Sequence, residues 1–280
     1  MCGMKIQPSL FLKEALMFGA TLALGLFVAY RYVLLLSSVE IYQPSSITLG
    51  DLAGFAFILA AVWFISRTPR LASWMFWIFL SIIILSGAQI VIASMAPFPT
   101  DIIGALFILA IFLLVHNVIV HDLAIILAIA GIGAAIGIMI TPAVGILALV
   151  LLSFYDIIAV YKTRHMVRMA ESMIRSGAVF GLIIPSSFRH FMASRHEAKH
   201  RIGQDFMILG SGDIGLPVIF VSSLVRQSLP EAIIVACFAL LGLLLTHVIF
   251  VSQPKRQPMA ALPPIATMTL IGYVIALLIV

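Results

Sequence analysis

The sequence predicts an all-α fold, namely a polytopic membrane protein with nine transmembrane helices, a cytoplasmic N terminus and an external C terminus. Three observations lead to this prediction. Of the 280 residues, 63% are hydrophobic and only 10% are charged, which is more apolar surface than a soluble core of this size can bury. The chain also divides into nine apolar segments, and nearly all its basic residues fall on one side of them.

The nine segments follow from length. A helix that crosses the hydrocarbon core needs about 20 mostly apolar residues. Counted along the chain, the segments are 15–36, 47–66, 72–93, 102–120, 123–140, 143–161, 206–224, 232–251 and 261–280. The first segment has basic residues before it and no small-residue cleavage site after its apolar stretch, so it is interpreted as a retained helix. Short "HD" and "TP" turns, at 121–122 and 141–142, separate the fourth to sixth segments.

The basic residues set the predicted orientation, because cytoplasmic loops are enriched in Lys and Arg. Nine spans place the two termini on opposite sides. One side then holds 14 of the 16 basic residues: Lys5, Lys13, Arg67, Arg70, Lys162, Arg164, Arg168, Arg175, Arg189, Arg195, Lys199, Arg201, Lys255 and Arg256. Only Arg31 and Arg226 lie on the other. Topology and anionic lipid thus account for the basic pI, without nucleic acid.

The chain is expected to form one membrane-embedded domain, residues 1–280, with six helices over about 15–161 and three over about 206–280. The cytoplasmic loop 162–205 connects these two groups. Within it, "GAVFGLIIP" at Gly177–Pro185 is apolar but too short to span. We expect this stretch to lie on the membrane surface or to fold back onto the helices.

Two carboxylates, Asp156 and Asp213, lie well inside predicted spans, whereas the other nine acidic residues fall in loops or at span ends. Asp156 precedes Lys162 by six residues and Asp213 follows Asp205 by eight. At 1.5 Å per helical residue, both would lie roughly 9 to 12 Å below the same membrane edge. Because their segments are consecutive and antiparallel, the two carboxylates are predicted to meet.

A pair of close carboxylates shares one proton, so that one acts as acid while the other acts as base. Such a pair can hydrolyse a peptide bond without a metal or cofactor, by activating water and protonating the carbonyl oxygen. Two other interpretations remain open at this point. A buried Asp can simply hydrogen-bond a neighbouring helix, and two can form the ion or proton site of a channel or proton-coupled transporter.

The residues around each carboxylate carry further signals. Asp213 stands in "LGSGDIGLP", where glycines permit close backbone approach and Pro217 withholds an N–H from the carbonyl of residue 213. The ninth segment opens with "MAALPPIATM", whose consecutive prolines leave the carbonyls of Met259 and Ala260 without helical partners. We expect an irregular first turn there, suited to pairing with an extended substrate.

In this order, "YD" at 155–156, "GSGD" at 210–213 and a PAL-like "AALP" at 260–263 resemble the GxGD intramembrane aspartyl proteases, the presenilin and signal peptide peptidase family. The resemblance covers essentially the whole chain. It implies Asp156 and Asp213 as the catalytic pair. The substrate-positioning residues would be Tyr155, Gly210, Ser211, Gly212, Ala261, Leu262 and Pro263. One departure is Ala260, where the family has proline.

The resemblance also implies how this chain would work in the cell. Its substrates would be the transmembrane helices of other proteins, cut within the cell membrane. The predicted orientation is that of presenilin, whereas "GDIGLP" is more similar to the peptidase branch. Small size and a short loop indicate an archaeal homologue that needs no obligate partner subunits and acts alone or as a homo-oligomer. The "GAVFGLIIP" stretch is a hypothetical self-cleavage site, with a surface-lying loop as the alternative.

Two further enzyme classes compete with this interpretation. A prepilin-type peptidase also uses GxGD, but it has fewer spans and lacks the YD and PAL-like motifs in this arrangement. The loop contains "HEAKH" at 196–200, which fits the zinc metalloprotease motif H-E-x-x-H. Lys199, Arg195 and Arg201 oppose a dication there, and no third ligand follows. We therefore expect no metal site and interpret this stretch as a solvated basic cluster.

Overall fold

The computed structural model describes residues 8–36, 69–163, 173–201, 205–253 and 259–279, which are mostly helical. The helices are α1 (Pro8–Leu36), α2 (Pro69–Ala93), α3 (Thr100–Leu114), α4 (Val118–Met139), α5 (Pro142–Ile157), α6 (Arg195–His200), α7 (Ser211–Leu224), α8 (Leu229–Val251) and α9 (Leu262–Ile279). A π-helical turn, Ile158–Lys162, continues α5, and a 3-10 turn, Phe188–Met192, precedes α6. Two strands, β1 (Gly181–Pro185) and β2 (Phe206–Gly210), complete the described elements.

Six of these helices are long and apolar enough to cross a membrane: α1, α2, α4, α5 with its π-helical turn, α8 and α9. Helices α3 and α7 are apolar but shorter, at 15 and 14 residues. The predicted segment 47–66 lies outside the described residues. The polytopic, mostly helical fold is therefore confirmed, while the number nine and the orientation of the termini stay predictions.

The predicted seventh span, 206–224, is wrong at its start. Its first five residues form β2, which pairs antiparallel with β1 from Gly181↔Gly210 to Pro185↔Phe206. All five residues of β1 are buried, so "GAVFGLIIP" folds back into the protein. Each strand is too short to span, and pairing satisfies the backbone groups that face the partner strand. The helix of this segment begins only at Ser211.

The predicted "HD" turn is also misplaced, because the chain turns at 115–117 and His121 and Asp122 belong to α4. Both are buried, with exposed fractions of 1% and 2%. The Ile183 N–H donates to Asp122 Oδ1 over 2.8 Å, and His121 Nε2 lies 3.1 Å from the Gly181 carbonyl oxygen. These contacts with β1 give one hydrogen-bond partner to each of two polar side chains that in the sequence resemble a turn. The "TP" turn is confirmed between α4 and α5.

Helix α4 occupies the centre of the bundle and contacts α1, α2, α7 and β1. Its glycines allow this crowding. A methyl group at Gly133 would lie 2.7 Å from Val218 Cγ1, and one at Gly137 would lie 2.5 Å from the Ile219 carbonyl oxygen. At Gly131 it would overlap the carbonyl group of Gly87 on α2. Small residues of this kind let membrane helices approach closely.

The substitution Gly131→Ala is expected to destabilise the protein, because the added methyl group would force α2 and α4 apart. Overpacking of this kind costs roughly 1–3 kcal/mol of the free energy of unfolding. Thermal unfolding in detergent should therefore show a lower Tm. Gly19→Ala is the matched control, since its methyl group would make an ordinary contact, 3.6 Å from Leu240. Equal Tm values for the two variants would contradict the role given to Gly131.

The described part of the loop 162–205 is anchored to the bundle. The Arg195 backbone N–H donates to the His116 carbonyl over 2.6 Å, and its Nη2 donates to the Phe112 carbonyl over 2.8 Å. The guanidinium lies over the ring of Phe112, 4.4 Å from its centroid, and also over Trp77. Partial burial lowers the pKa of Arg195. The prediction of a solvated basic cluster is thus wrong for Arg195.

Candidate active site

Asp156 is buried, with an exposed fraction of 4%, one residue before the end of α5. A second helix stabilises negative charge there, because the Leu262 N–H at the start of α9 points at Asp156 Oδ2 over 3.4 Å. The next two residues of α9, Pro263 and Pro264, have no N–H. Leu262 is therefore the first free donor of that helix end.

Asp213 lies in the first turn of α7, three residues after the N-cap Gly210. Its carboxylate accepts a hydrogen bond from the Gly210 N–H, as an acidic residue at this position does in a capping box. The positive end of the α7 dipole also favours negative charge here. Asp213 is only partly buried, so it remains open to a ligand or to water.

The two carboxylates converge. Asp156 lies close enough to Asp213 for the two carboxylates to interact electrostatically, and the helices that carry and support them, α5, α7 and α9, are in mutual contact. The π-helical turn that begins two residues after Asp156 is a geometry often found at functional sites. Two carboxylates therefore lie together at the N-terminal ends of two helices, inside a bundle of apolar helices.

The glycines around Asp213 have different surroundings from those expected. A methyl group at Gly210 would lie 3.0 Å from Asp213 Oδ2, so this glycine leaves room for the carboxylate itself. No atom of the described chain lies within 4 Å of a methyl group at Gly212, and only Ile129 lies near Gly215. The expected close backbone approach is thus absent at these two positions within the described residues. Ser211 begins α7, and its N–H donates to the Phe180 carbonyl over 3.2 Å.

The PAL-like segment borders Asp156. Ala260 and Leu262 are buried, with exposed fractions of 5% and 4%, and Pro263 is partly exposed. The Ala261 carbonyl lies 3.4 Å from Thr246 Oγ1 on α8. Residues 259–261 are not helical, and α9 begins at Leu262. The prolines therefore occupy the helix start, where a missing N–H has little cost, and the irregular backbone precedes the helix.

Tyr155 and the "HEAKH" stretch lie apart from these contacts. The Tyr155 side chain is 55% exposed, which leaves it accessible to a substrate or to lipid. The histidine motif forms the six-residue helix α6, where Glu197 pairs with Arg201 over 3.1 Å. Among the residues that the structure describes, no cluster of three or more His, Cys, Asp and Glu side chains could hold a metal ion.

Sequence reasoning missed a set of buried polar residues near the site. Lys13 and Glu14 lie within α1, which begins at Pro8, and their exposed fractions are 2% and 1%. Glu14 pairs with His247 of α8. In the sequence, the charges of Lys13 and Glu14 indicate the boundary of a span. In the structure, α1 begins five residues before Lys13, so both side chains lie within the helix.

Comparisons with known proteins agree with this geometry. The chain resembles two crystal structures described as a presenilin family intramembrane aspartate protease, one in space group C222 and one in P2. The alignment with the first has 21% sequence identity and a TM-score of 0.61, and it covers 95% of this chain and 99% of the matched chain. The second has 23% identity and a TM-score of 0.59, and covers 94% and 97%. These likenesses show a shared fold.

The family assignment rests on a sequence comparison. No curated protein sequence matches the chain. The model of the family described as "Signal-peptide peptidase, presenilin aspartyl protease" matches residues 53–280. This range is well over half of the chain and includes Asp156, Asp213 and the PAL-like segment. The chain therefore belongs to the signal-peptide peptidase and presenilin family of aspartyl proteases, as the resemblance of its motifs implied.

Proposed function

We propose that Asp156 and Asp213 are the catalytic pair of this intramembrane aspartyl protease, which hydrolyses peptide bonds within transmembrane helices of substrate proteins. One observation carries the proposal: the two carboxylates converge at the N-terminal ends of α7 and α9 within an apolar helical bundle. A carboxylate pair among apolar helices is costly, and by default it indicates function.

The chemistry follows from the pair sharing one proton. The ionised carboxylate takes a proton from water as the water attacks the scissile carbonyl carbon. The protonated carboxylate donates to the carbonyl oxygen, and proton transfer to the amide nitrogen then releases the amine. Each carboxylate lies beside the N-terminal end of a helix. The positive end of that helix dipole stabilises the negative charge that moves between the two carboxylates during the reaction. No metal or cofactor takes part in these steps.

Strand β2 offers an edge to the substrate. The Ser186 N–H donates to the Asp205 carbonyl over 2.7 Å, and the Ser211 N–H donates to the Phe180 carbonyl over 3.2 Å. Backbone groups of odd-numbered residues in this segment therefore face β1, and those of Phe206 and Ile208 face away from it. The opposite edge of β1 is held by His121 and Asp122 of α4. An unwound substrate segment would thus add to β2, whose end leads directly to Asp213.

The Leu262 N–H is expected to contribute modestly to catalysis, because its contact with Asp156 is long. Leu262→Pro removes this donor at a helix position that tolerates proline. We expect kcat to fall about fivefold, the effect of losing one weak hydrogen bond. Leu262→Ala is the control, since it shortens the side chain but keeps the N–H. A steady-state assay in detergent compares them, and equal kcat values would remove Leu262 from the mechanism.

The finer arrangement in the membrane is also a proposal. We infer nine spans in a single membrane-embedded domain, with the N terminus cytoplasmic and the C terminus external, because this orientation collects the basic residues on one side. The protein would reside in the cell membrane in contact with anionic lipid. It would act on transmembrane-helix substrates alone or as a homo-oligomer, without obligate partner subunits. Tyr155, Gly210, Ser211, Gly212, Ala261, Leu262 and Pro263 would position the substrate.

Purified protein in liposomes tests this function against a channel or transporter. The vesicles would contain a reporter protein with one transmembrane helix, a zinc chelator, and an ion- or proton-sensitive dye. We expect the reporter to be cleaved and the ion gradient to persist. Dissipation of the gradient without cleavage would favour a channel or transporter, and loss of cleavage on chelation would favour a metalloprotease.

A further inference from the structure

Helix α1 carries two consecutive charged side chains that are both buried, Lys13 and Glu14. Fully buried Lys and Glu are rare in proteins unless they are paired. Each of these two has a partner, and the partners belong to different parts of the protein. Lys13 reaches the β1–β2 hairpin, and Glu14 reaches α8.

Lys13 holds the end of β1. Its Nζ donates to the carbonyls of Pro185 and Ser186 over 2.9 and 2.7 Å. Ser186 in turn donates its N–H to the carbonyl of Asp205, the residue before β2. A single buried ammonium group on α1 therefore fixes one end of the hairpin, where β1 ends and β2 begins. The other end of β2 leads to Gly210 and Asp213.

Glu14 holds α8. Its Oε2 lies 2.8 Å from His247 Nδ1, and both side chains are almost completely buried. The ring of Phe11 lies against His247 with a centroid distance of 5.2 Å. The neighbouring Thr246 contacts the Ala261 carbonyl with its hydroxyl group. Ala261 immediately precedes Leu262, whose N–H points at Asp156. The contact of Glu14 therefore leads to the other carboxylate of the site.

We propose that Lys13 and Glu14 are positioning residues through which α1 fixes the two sides of the active site relative to each other. Lys13 places the substrate-binding edge of β2, and Glu14, through His247 and Thr246, places the Leu262 N–H at Asp156. This inference rests on the proposed function. It assigns the two side chains different effects on the reaction, because one acts on substrate binding and the other on the catalytic carboxylate.

The test is steady-state cleavage of a transmembrane-helix reporter in detergent, with the cut positions identified by mass spectrometry. For Lys13→Met, we expect KM to rise about tenfold and cleavage to spread over neighbouring bonds, since the hairpin loses two hydrogen bonds to a charged group. For Glu14→Gln, we expect kcat to fall by up to about fivefold, the loss expected for Leu262→Pro, while KM and the cut position stay unchanged. A merely structural role would lower Tm and activity without this division.

Four further variants complete the design. Lys13→Arg keeps a cationic donor and should restore the cut position. The double variant Glu14→Gln/His247→Gln should lose no more kcat than Glu14→Gln alone, because the pair acts as a unit. Arg226→Met and Glu231→Gln are the matched controls. Arg226→Met removes a charge from an exposed turn. Glu231→Gln removes one from a partly exposed position at the N-terminal end of α8, far from His247. Both variants should behave as the parent.

The outcomes separate this inference from the proposed function. A parent that fails to cleave the reporter overturns both. A parent that cleaves, with Lys13→Met and Glu14→Gln indistinguishable from the controls, overturns only the inference. The inference is likewise overturned if both variants lose kcat equally and keep the parental KM and cut position.

Discussion

Asp213→Asn should lower kcat about a thousandfold, as expected when a group that both takes and gives a proton is lost. The amide has nearly the same size and its oxygen can still accept the hydrogen bond from the Gly210 N–H. It cannot exchange a proton with water or with the scissile carbonyl. Asp156→Asn should have the same effect. Its amide oxygen can still accept from the Leu262 N–H, so only the exchange of a proton is lost. Initial rates of reporter cleavage in detergent measure both changes.

A matched control separates chemistry from burial. Asp101 in the first turn of α3 is also a buried carboxylate, and it accepts a hydrogen bond from Gln89 over 3.4 Å. Asp101→Asn should keep kcat within about twofold, because this group lies outside the site. The double variant of Asp156 and Asp213 should be no slower than either single variant, as for residues that act as one unit. A single variant that retains a tenth of the parental rate would contradict the assignment.

The substitution Ile208→Pro is expected to lower kcat/KM by roughly thirtyfold, because it removes one backbone hydrogen bond to the substrate and places a ring in its path. The Ile208 N–H faces away from β1, so its loss leaves the β1–β2 pairing intact. Proline is tolerated in edge strands under this condition. Tm should therefore change little, and cleavage kinetics with the same reporter provide the measurement.

Ile208→Ala controls for the side chain, since it removes the apolar branches and keeps the N–H. We expect it to cost kcat/KM much less than the proline variant. If the proline variant cleaves as well as the alanine variant, the substrate does not pair with this edge. If it instead unfolds at a much lower temperature, the N–H of Ile208 belongs to the internal sheet and the derived alternation is wrong.

The two candidate carboxylates could be identified from sequence because ionisable groups within apolar segments stand out. Segment order and direction were enough to place Asp156 and Asp213 near each other, since consecutive antiparallel helices are usually neighbours. The depth of Asp213 could not be derived in the same way. Five of the eight residues from Asp205 to Asp213 form β2, which is more extended than a helix.

The β1–β2 hairpin could not be predicted because its strands are short apolar runs. Such runs are compatible with either strand or helix, and only a partner decides between them. That partner lies more than twenty residues away in the chain. The buried charges of α1 were hidden for a similar reason. Lys13 and Glu14 resemble a polar span boundary until the hairpin and His247 are in place to satisfy them.

The sequence also did not indicate which glycines lie at helix crossings. The sequence predicted close packing at Gly212 and Gly215, which flank Asp213, but these positions have open surroundings in the described chain. The glycines that determine helix packing are on α4, where Gly131 and Gly137 contact the backbone of neighbouring helices. A single sequence contains no signal that distinguishes a glycine at a helix crossing from one beside a substrate path.

The position of the cut within the substrate tests the central claim most directly. The parent protein would be reconstituted in liposomes with a reporter whose single transmembrane helix has charged residues at both ends, in the presence of a zinc chelator. Mass spectrometry of the products should show new termini within the apolar segment. New termini confined to the charged flanks, or formed equally by Asp156→Asn and Asp213→Asn, would contradict intramembrane hydrolysis by this pair.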